Sequence, residues 1–114
     1  MGRWTDLRKI SDRYCWYDEY FDYDGPACYE LAIAGPRSGS PRIVYVGETE
    51  NERARLSCYA RHGSHLSQII DWHLREGWLL YCRAYAVSSK EAARRMQDVR
   101  LSRFFYPWNV IGMR

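Results

Sequence analysis

The sequence lacks the features that mark membrane-spanning, secreted or disordered proteins. No stretch of the 114 residues approaches the ~18 consecutive apolar residues of a membrane span. The N-terminal segment is charged and has no apolar core, so we expect no secretory signal. Low-complexity tracts and internal repeats are absent, and 46% of the residues are hydrophobic against a net charge of only +3. These values exclude a largely disordered chain and predict one folded domain.

The cysteines are too few and too widely spaced for a disulfide scaffold or a zinc site. Cys15, Cys28, Cys58 and Cys82 form no C-x-x-C pair, whereas structural zinc sites use paired spacing. We interpret all four as buried free thiols in a reducing compartment. The cysteine pattern therefore predicts an intracellular protein.

Aromatic side chains, in contrast, are abundant. Five Trp, ten Tyr and three Phe make up 16% of the chain. A small core cannot bury so many phenol hydroxyls without hydrogen-bond partners, so we expect several tyrosines at a surface or in a cleft. The mildly basic isoelectric point, near 8.7, permits nucleic acid as a partner.

The pattern of apolar residues predicts a small α+β fold. Residues 1–25 are expected to form an aromatic arm lying on a domain formed by residues 26–114. Within that domain, periodicity predicts the element order β-β-α-α-β-α, with strand 27–34, strand 42–46, helix 49–62, helix 65–76, strand 78–87 and helix 88–105. This order implies a three-stranded antiparallel sheet flanked by helices. Thr49-x-x-Glu52 and Ser88-x-x-Glu91 have the spacing of capping boxes at two helix starts.

An ordered set of polar side chains indicates a site. Tyr29 and Tyr45 lie on the two predicted hairpin strands, and Arg55 follows Tyr45 by ten residues. Tyr59 comes one helical turn after Arg55, on the same face. The last predicted helix is followed by a Tyr-Pro-Trp-Asn segment that ends at Asn109. Each residue alone has an ordinary structural explanation, so the inference depends on the set.

In this order the residues resemble the GIY-YIG nuclease family. Ala27-Cys28-Tyr29 stands where the first signature triplet falls, and Tyr45-Val46-Gly47 matches the second. The Arg55–Tyr59 pair fits the Arg-x-x-x-His/Tyr pattern, and the final Pro-x-Asn fits as well. The resemblance covers about residues 26–109, and the predicted element order is that of the family. The GSHL and RFFYPWN stretches most resemble the GIY-YIG domains of plant effector-of-transcription proteins.

The resemblance implies a metal-dependent DNA endonuclease with one Mg²⁺ or Mn²⁺ ion at the last helix. Tyr29 would be the general base and Tyr45 its partner. Arg55 would hold the phosphate, and Tyr59 would relay a proton in place of the frequent histidine. The remaining expected substrate contacts are Gly47, Arg53, Arg61, His65 and Asn109. DNA is the expected partner, with no membrane association, and the chain is expected to be a monomer or a weak homodimer.

The sequence departs from the family at the metal ligand. Counting back from Asn109, the expected glutamate falls at Gln97, which keeps the shape of Glu but loses the charge that a hard divalent ion prefers. The capping box accounts for Glu91, and Asp98 is expected to point about 100° away from Gln97 on the helix. Gln97 would abolish or weaken the cleavage activity that the resemblance implies. It is either an engineered change or the mark of a natural binder that has lost catalysis, and the sequence leaves both open.

The sequence also allows two other classes of protein. One is a non-catalytic DNA-binding or regulatory module derived from a nuclease, and the other is a protein-interaction domain. The exterior of the last helix carries four arginines that either contact nucleic-acid phosphates or only keep an exposed face charged: Arg94, Arg95, Arg100 and Arg103.

Overall fold

A computed structural model of the chain describes residues 2–17, 21–37, 39–60 and 64–110. The elements in chain order are β1 (Arg8–Ser11), β2 (Ala27–Ala34), β3 (Arg42–Thr49), α1 (Glu52–Ala60), α2 (Ser67–Arg75), β4 (Leu79–Ala86), α3 (Lys90–Arg103) and α4 (Pro107–Val110). The predicted β-β-α-α-β-α order is present, preceded by β1 and followed by the short α4. No helix in the described ranges is long and apolar enough to cross a membrane.

The strands form one antiparallel sheet in the order β1-β4-β2-β3. Strand β2 lies inside this sheet and is buried along its whole length, because β3 pairs with one side and β4 with the other. The α+β class is confirmed, although the sheet has four strands where three were predicted. The fourth comes from the segment predicted as an arm: Arg8–Ser11 pairs with β4, covering an edge that would otherwise expose unpaired backbone groups.

Both predicted capping boxes were wrong in register. Helix α1 is capped by Asn51, whose side-chain Oδ1 accepts from the N–H of Ala54 at 2.9 Å. Thr49 instead bonds to the backbone of Asn51. Helix α3 is capped by Ser89, not Ser88, since the Ser89 hydroxyl accepts from the N–H of Ala92 at 3.0 Å. Each helix therefore uses the polar residue directly before its first turn.

The N-terminal segment also completes the start of α1. The N–H groups of Glu52 and Arg53 have no partner within the helix, and they donate to the carbonyls of Gly25 and Tyr23 at 2.9 and 3.0 Å. The segment before β2 thus fixes the position of the helix that carries Arg55.

The sheet buries both of its faces. Helices α1 and α2 cover one face around Tyr29, Leu31 and Leu56. Helix α3 and the residues after it cover the other, where Val46 and Tyr106 pack with part-buried residues of α3.

Two of the four cysteines are buried and two are exposed. Cys28 and Cys82 are buried, but Cys15 and Cys58 are exposed, so the prediction of four buried thiols was wrong for two of them.

Candidate active site

Six of the residues predicted for the site come together in one cleft. The cleft has a volume of about 390 Å³ and is lined by residues of β2, β3, α1 and α3, together with His65 and Asn109. The six that line it are Tyr29, Tyr45, Arg55, His65, Gln97 and Asn109. They come from six parts of the chain, and pairing of β2 with β3 brings the first two side by side.

Tyr29 and Tyr59 form a hydrogen-bonded pair at the base of the cleft. Their hydroxyl oxygens are 2.7 Å apart, and 2% and 0% of the two residues, respectively, is exposed. Burial raises the pKa of both phenols well above the usual value, and the nearby Arg55 guanidinium lowers it by a smaller amount. At neutral pH both side chains are therefore protonated phenols.

Gly47 lies behind the Tyr29 ring. The two residues are register partners in the β2–β3 pair, and a Cβ on residue 47 would lie 2.5 Å from Tyr29 Cζ. Real Cβ atoms do not approach a ring carbon so closely, so glycine is required here for packing. The predicted contact of Gly47 with substrate stays a prediction.

Tyr45 and His65 form a second pair, nearer the mouth of the cleft. The Tyr45 hydroxyl and His65 Nε2 are 3.2 Å apart, and the two rings meet edge to face. Burial raises the pKa of Tyr45 too, and hydrogen bonding to Tyr59 and the charge of Arg55 lower it. His65 is exposed, so this pair connects a buried phenol to an imidazole that solvent can reach.

Arg55 presents an exposed guanidinium to the cleft from the first half of α1. Arg53, two residues earlier, does not line the cleft but forms an exposed ion pair with Asp24 at 2.9 Å. Arg61 lies outside the described residues. Of the three arginines predicted to contact substrate, the structure thus places one in the cleft.

Asn109 joins the end of the chain to the edge strand of the sheet. Its Oδ1 accepts from the Val46 N–H at 2.9 Å, and its Nδ2 donates to the Val46 carbonyl at 3.0 Å. The side-chain amide thereby pairs with β3 as another strand would. Asn109 is 3% exposed, and its substrate contact stays a prediction beside this structural one.

Sequence reasoning missed two carboxylates, Glu48 and Asp98, that line the same cleft. Glu48 Oε2 is buried and has no hydrogen-bond partner among the described residues, and Glu48 Oε1 lies 3.9 Å from Arg94. Asp98 was expected to point away from Gln97. Both residues nevertheless line the cleft. Glu48 carried a signal, since it directly follows the Tyr45-Val46-Gly47 triplet, but β3 had been predicted to end at residue 46.

The comparison with known families agrees with this arrangement. A small antiparallel sheet whose edge gathers tyrosines, an arginine and carboxylates has the groups that a hydrolytic site needs. A family model described as GIY-YIG domain-containing protein matches residues 4–75, more than half of the chain. The chain therefore belongs to the GIY-YIG family, whose members are generally endonucleases, and GIY-YIG nucleases act on DNA.

The match also has limits along the chain. It includes β1 and ends at the last residue of α2, so Gln97 and Asn109 lie beyond it. Neither a curated protein nor a solved structure is significantly similar to the chain. The narrower resemblance to plant effector-of-transcription proteins stays a prediction.

Proposed function

We propose that the protein is a metal-dependent DNA endonuclease that hydrolyses phosphodiester bonds in this cleft. The observation that carries the proposal is the convergence of Arg55, the Tyr45–His65 pair and two carboxylates in one cleft of a GIY-YIG domain. Together they provide a cation for the phosphate, a route for a proton and anionic groups for a metal ion.

Arg55 would hold the phosphate that is cleaved. Its guanidinium is exposed in the cleft, and the planar fork of an arginine can donate two parallel hydrogen bonds to a phosphate. The positive charge also offsets the negative charge that grows on the phosphate oxygens in the transition state.

The Tyr45–His65 pair supplies the proton acceptor in this proposal. Tyr29 was predicted as the general base, but its hydroxyl is bonded to Tyr59 and burial raises its pKa. We assign the role to His65 acting through Tyr45, because an imidazole is the side chain that accepts protons near neutral pH.

The proposed step conserves atoms and charge. With the imidazole proton on Nδ1, the Tyr45 hydroxyl donates to His65 Nε2. As the water oxygen bonds to phosphorus, the water proton moves to the Tyr45 oxygen and the Tyr45 proton moves to Nε2. The bond from phosphorus to the leaving oxygen breaks, and that oxygen takes its proton from solvent. Tyr29 and Tyr59 hold the Tyr45 ring in place.

The family implies one divalent ion, and the residues of the cleft fit it. The buried Oε2 of Glu48, for which the described part of the chain offers no hydrogen-bond partner, is a carboxylate oxygen that a cation could neutralise. Asp98 and Gln97 line the same cleft. The described residues contain no group of three or more His, Cys, Asp or Glu that would hold a metal. Two carboxylates suit Mg²⁺, which usually binds through one or two carboxylates, waters and substrate phosphates.

Glu48, Asp98 and Gln97 would therefore hold the ion, which supplies Lewis-acid stabilisation of charge on the phosphate and leaving oxygens. On this proposal Gln97 weakens metal binding without abolishing it, since two carboxylates remain.

A second candidate is a DNA-binding module without catalysis. The neutral Gln97 at the position of the expected glutamate favours it. It differs from the first candidate in one measurable respect, because restoring a glutamate would create no cleavage.

Nicking of supercoiled plasmid DNA in Mg²⁺ or in EDTA tests the proposal. We expect the wild-type chain to nick in Mg²⁺ only, and Gln97→Glu to nick faster. The matched control is Gln68→Glu, the same substitution at an exposed position of α2 outside the cleft, which should leave the rate unchanged. Salt-dependent DNA binding with no nicking by the wild type or Gln97→Glu would overturn the proposal and support the binding module.

A further inference from the structure

A second cleft lies beside the last turn of α3, and the proposed reaction does not use it. Its volume is about 300 Å³, and it opens between the sheet and the segment that follows the helix. Its wall includes Glu30, Arg83, Arg100, Phe104, Phe105 and Tyr106. It combines fixed charges with exposed aromatic rings.

The charged part of the wall is held rigidly by a buried carboxylate. Glu30 is fully buried and accepts hydrogen bonds from Arg83 Nε, at 2.8 Å, and from Arg100, at 2.9 and 3.2 Å. Arg83 Nη2 also forms an ion pair with Glu30 at 2.6 Å. The Tyr106 hydroxyl also donates to Glu30. Burial raises the pKa of Tyr106 to about 12, so this hydroxyl stays protonated. Both guanidinium groups lie over the Trp4 ring, at 4.7 and 5.2 Å.

This group carries an excess of positive charge. Two guanidinium groups face one carboxylate, so one positive charge is not compensated within it. The side chains of Arg83 and Arg100 are 26% and 24% exposed, which leaves part of each available to a ligand in the cleft. An anion entering here would meet a fixed cation that needs little reorganisation.

The aromatic part of the wall is exposed to solvent. Phe104 and Phe105 follow one another after α3 and are 52% and 74% exposed. The Phe104 ring lies 4.7 Å from the Arg100 guanidinium carbon, so ring and charge adjoin. Exposed rings beside a positively charged groove are the combination that binds single-stranded nucleic acid, because bases stack on the rings and phosphates pair with the cations.

The second cleft adjoins the candidate active site. Leu101 and Asn109 line the first cleft, and the residues between them, Phe104 to Tyr106, line the second. Two successive residues of α3, Arg100 and Leu101, line the second and the first cleft, respectively. A strand that contacts both clefts would therefore pass the end of α3.

We propose that the second cleft binds the DNA strand next to the cleaved bond, with a base stacked on Phe105 and a phosphate against Arg83 and Arg100. This inference rests on the proposed function for the identity of the ligand. The inference does not depend on metal binding, on the role of Gln97 or on which residue accepts the proton.

The test measures binding of a short single-stranded oligonucleotide that contains 2-aminopurine, in EDTA so that no cleavage occurs. Phe105→Ala should weaken binding by about tenfold and remove the fluorescence change that stacking causes. Phe105→Trp should retain both, because it keeps a ring for stacking. The control is Tyr14→Ala, which removes an aromatic side chain that is 82% exposed and lines neither cleft, and should bind as the wild type does.

The outcomes separate this inference from the proposed function. Equal binding and fluorescence for Phe105→Ala and the wild type overturn the inference, whether or not the protein cleaves DNA. Loss of self-association in Phe105→Ala at unchanged DNA affinity also overturns it and points to a protein partner. Binding that depends on Phe105, in a protein that never cleaves DNA, supports the inference while the proposed function fails. No DNA binding by the wild type overturns both.

Discussion

Gly47 lies directly opposite Tyr29 in the β2–β3 pair, with no room between them for a side chain. A Cβ on residue 47 would come within 2.5 Å of Tyr29 Cζ, and Tyr29 is itself fixed by its bond to Tyr59. The glycine of the second triplet and the tyrosine of the first are therefore one packing unit. We expect Gly47→Ala to lower the free energy of unfolding by about 1–3 kcal/mol and to displace the Tyr29 hydroxyl from Tyr59.

A double-mutant cycle measured by urea unfolding checks this relationship. In a Tyr29→Ala background the ring is gone, so Gly47→Ala should cost much less than it does in the wild type. Equal costs in the two backgrounds would show that the glycine is needed for another reason, such as contact with substrate.

Asn109 should contribute to stability through Val46. In Asn109→Ala the buried N–H and carbonyl of Val46 lose their partners, so we expect the free energy of unfolding to fall by about 2–4 kcal/mol. Asn109→Asp keeps the acceptor but loses the donor and should also be less stable than the wild type. Urea unfolding without DNA measures both. If Asn109 served only to bind substrate, neither variant would lose stability.

His65 should contribute to the rate of cleavage through its contact with Tyr45. His65→Gln lacks the imidazole nitrogen that accepts the Tyr45 proton, so we expect it to cleave about a hundredfold more slowly. Single-turnover cleavage measures this rate, and DNA binding in EDTA shows whether His65→Gln still binds its substrate. Equal cleavage rates for His65→Gln and the wild type would contradict the assignment.

The buried phenols should make the fold sensitive to alkali. The pKa of Tyr29 and of Tyr59 is raised in the folded state, so their contribution is fully present below about pH 10, the usual tyrosine pKa. Above it the unfolded chain loses protons that the folded chain retains. The free energy of unfolding should then fall by about 1.4 kcal/mol per pH unit for each group.

Urea unfolding at a series of pH values checks this slope. Tyr59→Phe should have a shallower slope above about pH 10 than the wild type, because it lacks one of the groups. Tyr14→Phe removes the hydroxyl of an exposed tyrosine and should not change the slope. A wild-type stability that stays constant above pH 10 would show that the two phenols reach solvent.

Features set by neighbouring residues could be predicted from the sequence, whereas contacts between residues far apart along the chain could not. Alternation within β2 and β3 is local, and it placed Tyr29 and Tyr45 on adjacent strands with Arg55 on the next helix. Strand β1 was missed because it is short and its partner, Cys82 opposite Arg8, lies far along the chain.

The second cleft was missed for the same reason. A glutamate within an apolar strand shows no local sign of its partners, and Glu30 meets Arg83 and Arg100 across 53 and 70 residues. The contribution of Asp98 to the first cleft was missed for a different reason. A helical angle gives the direction of a side chain but not the extent of the cleft beside it.

The central claim is that the first cleft is where the phosphodiester bond is cleaved, and single-turnover cleavage by Arg55→Ala tests it most directly. The matched control is Arg75→Ala, which removes another exposed helix arginine that does not line this cleft. We expect Arg55→Ala to be about a hundredfold slower or more, as when a preorganised transition-state partner is lost, and Arg75→Ala to cleave at the wild-type rate. Equal rates for Arg55→Ala and the wild type would contradict the claim.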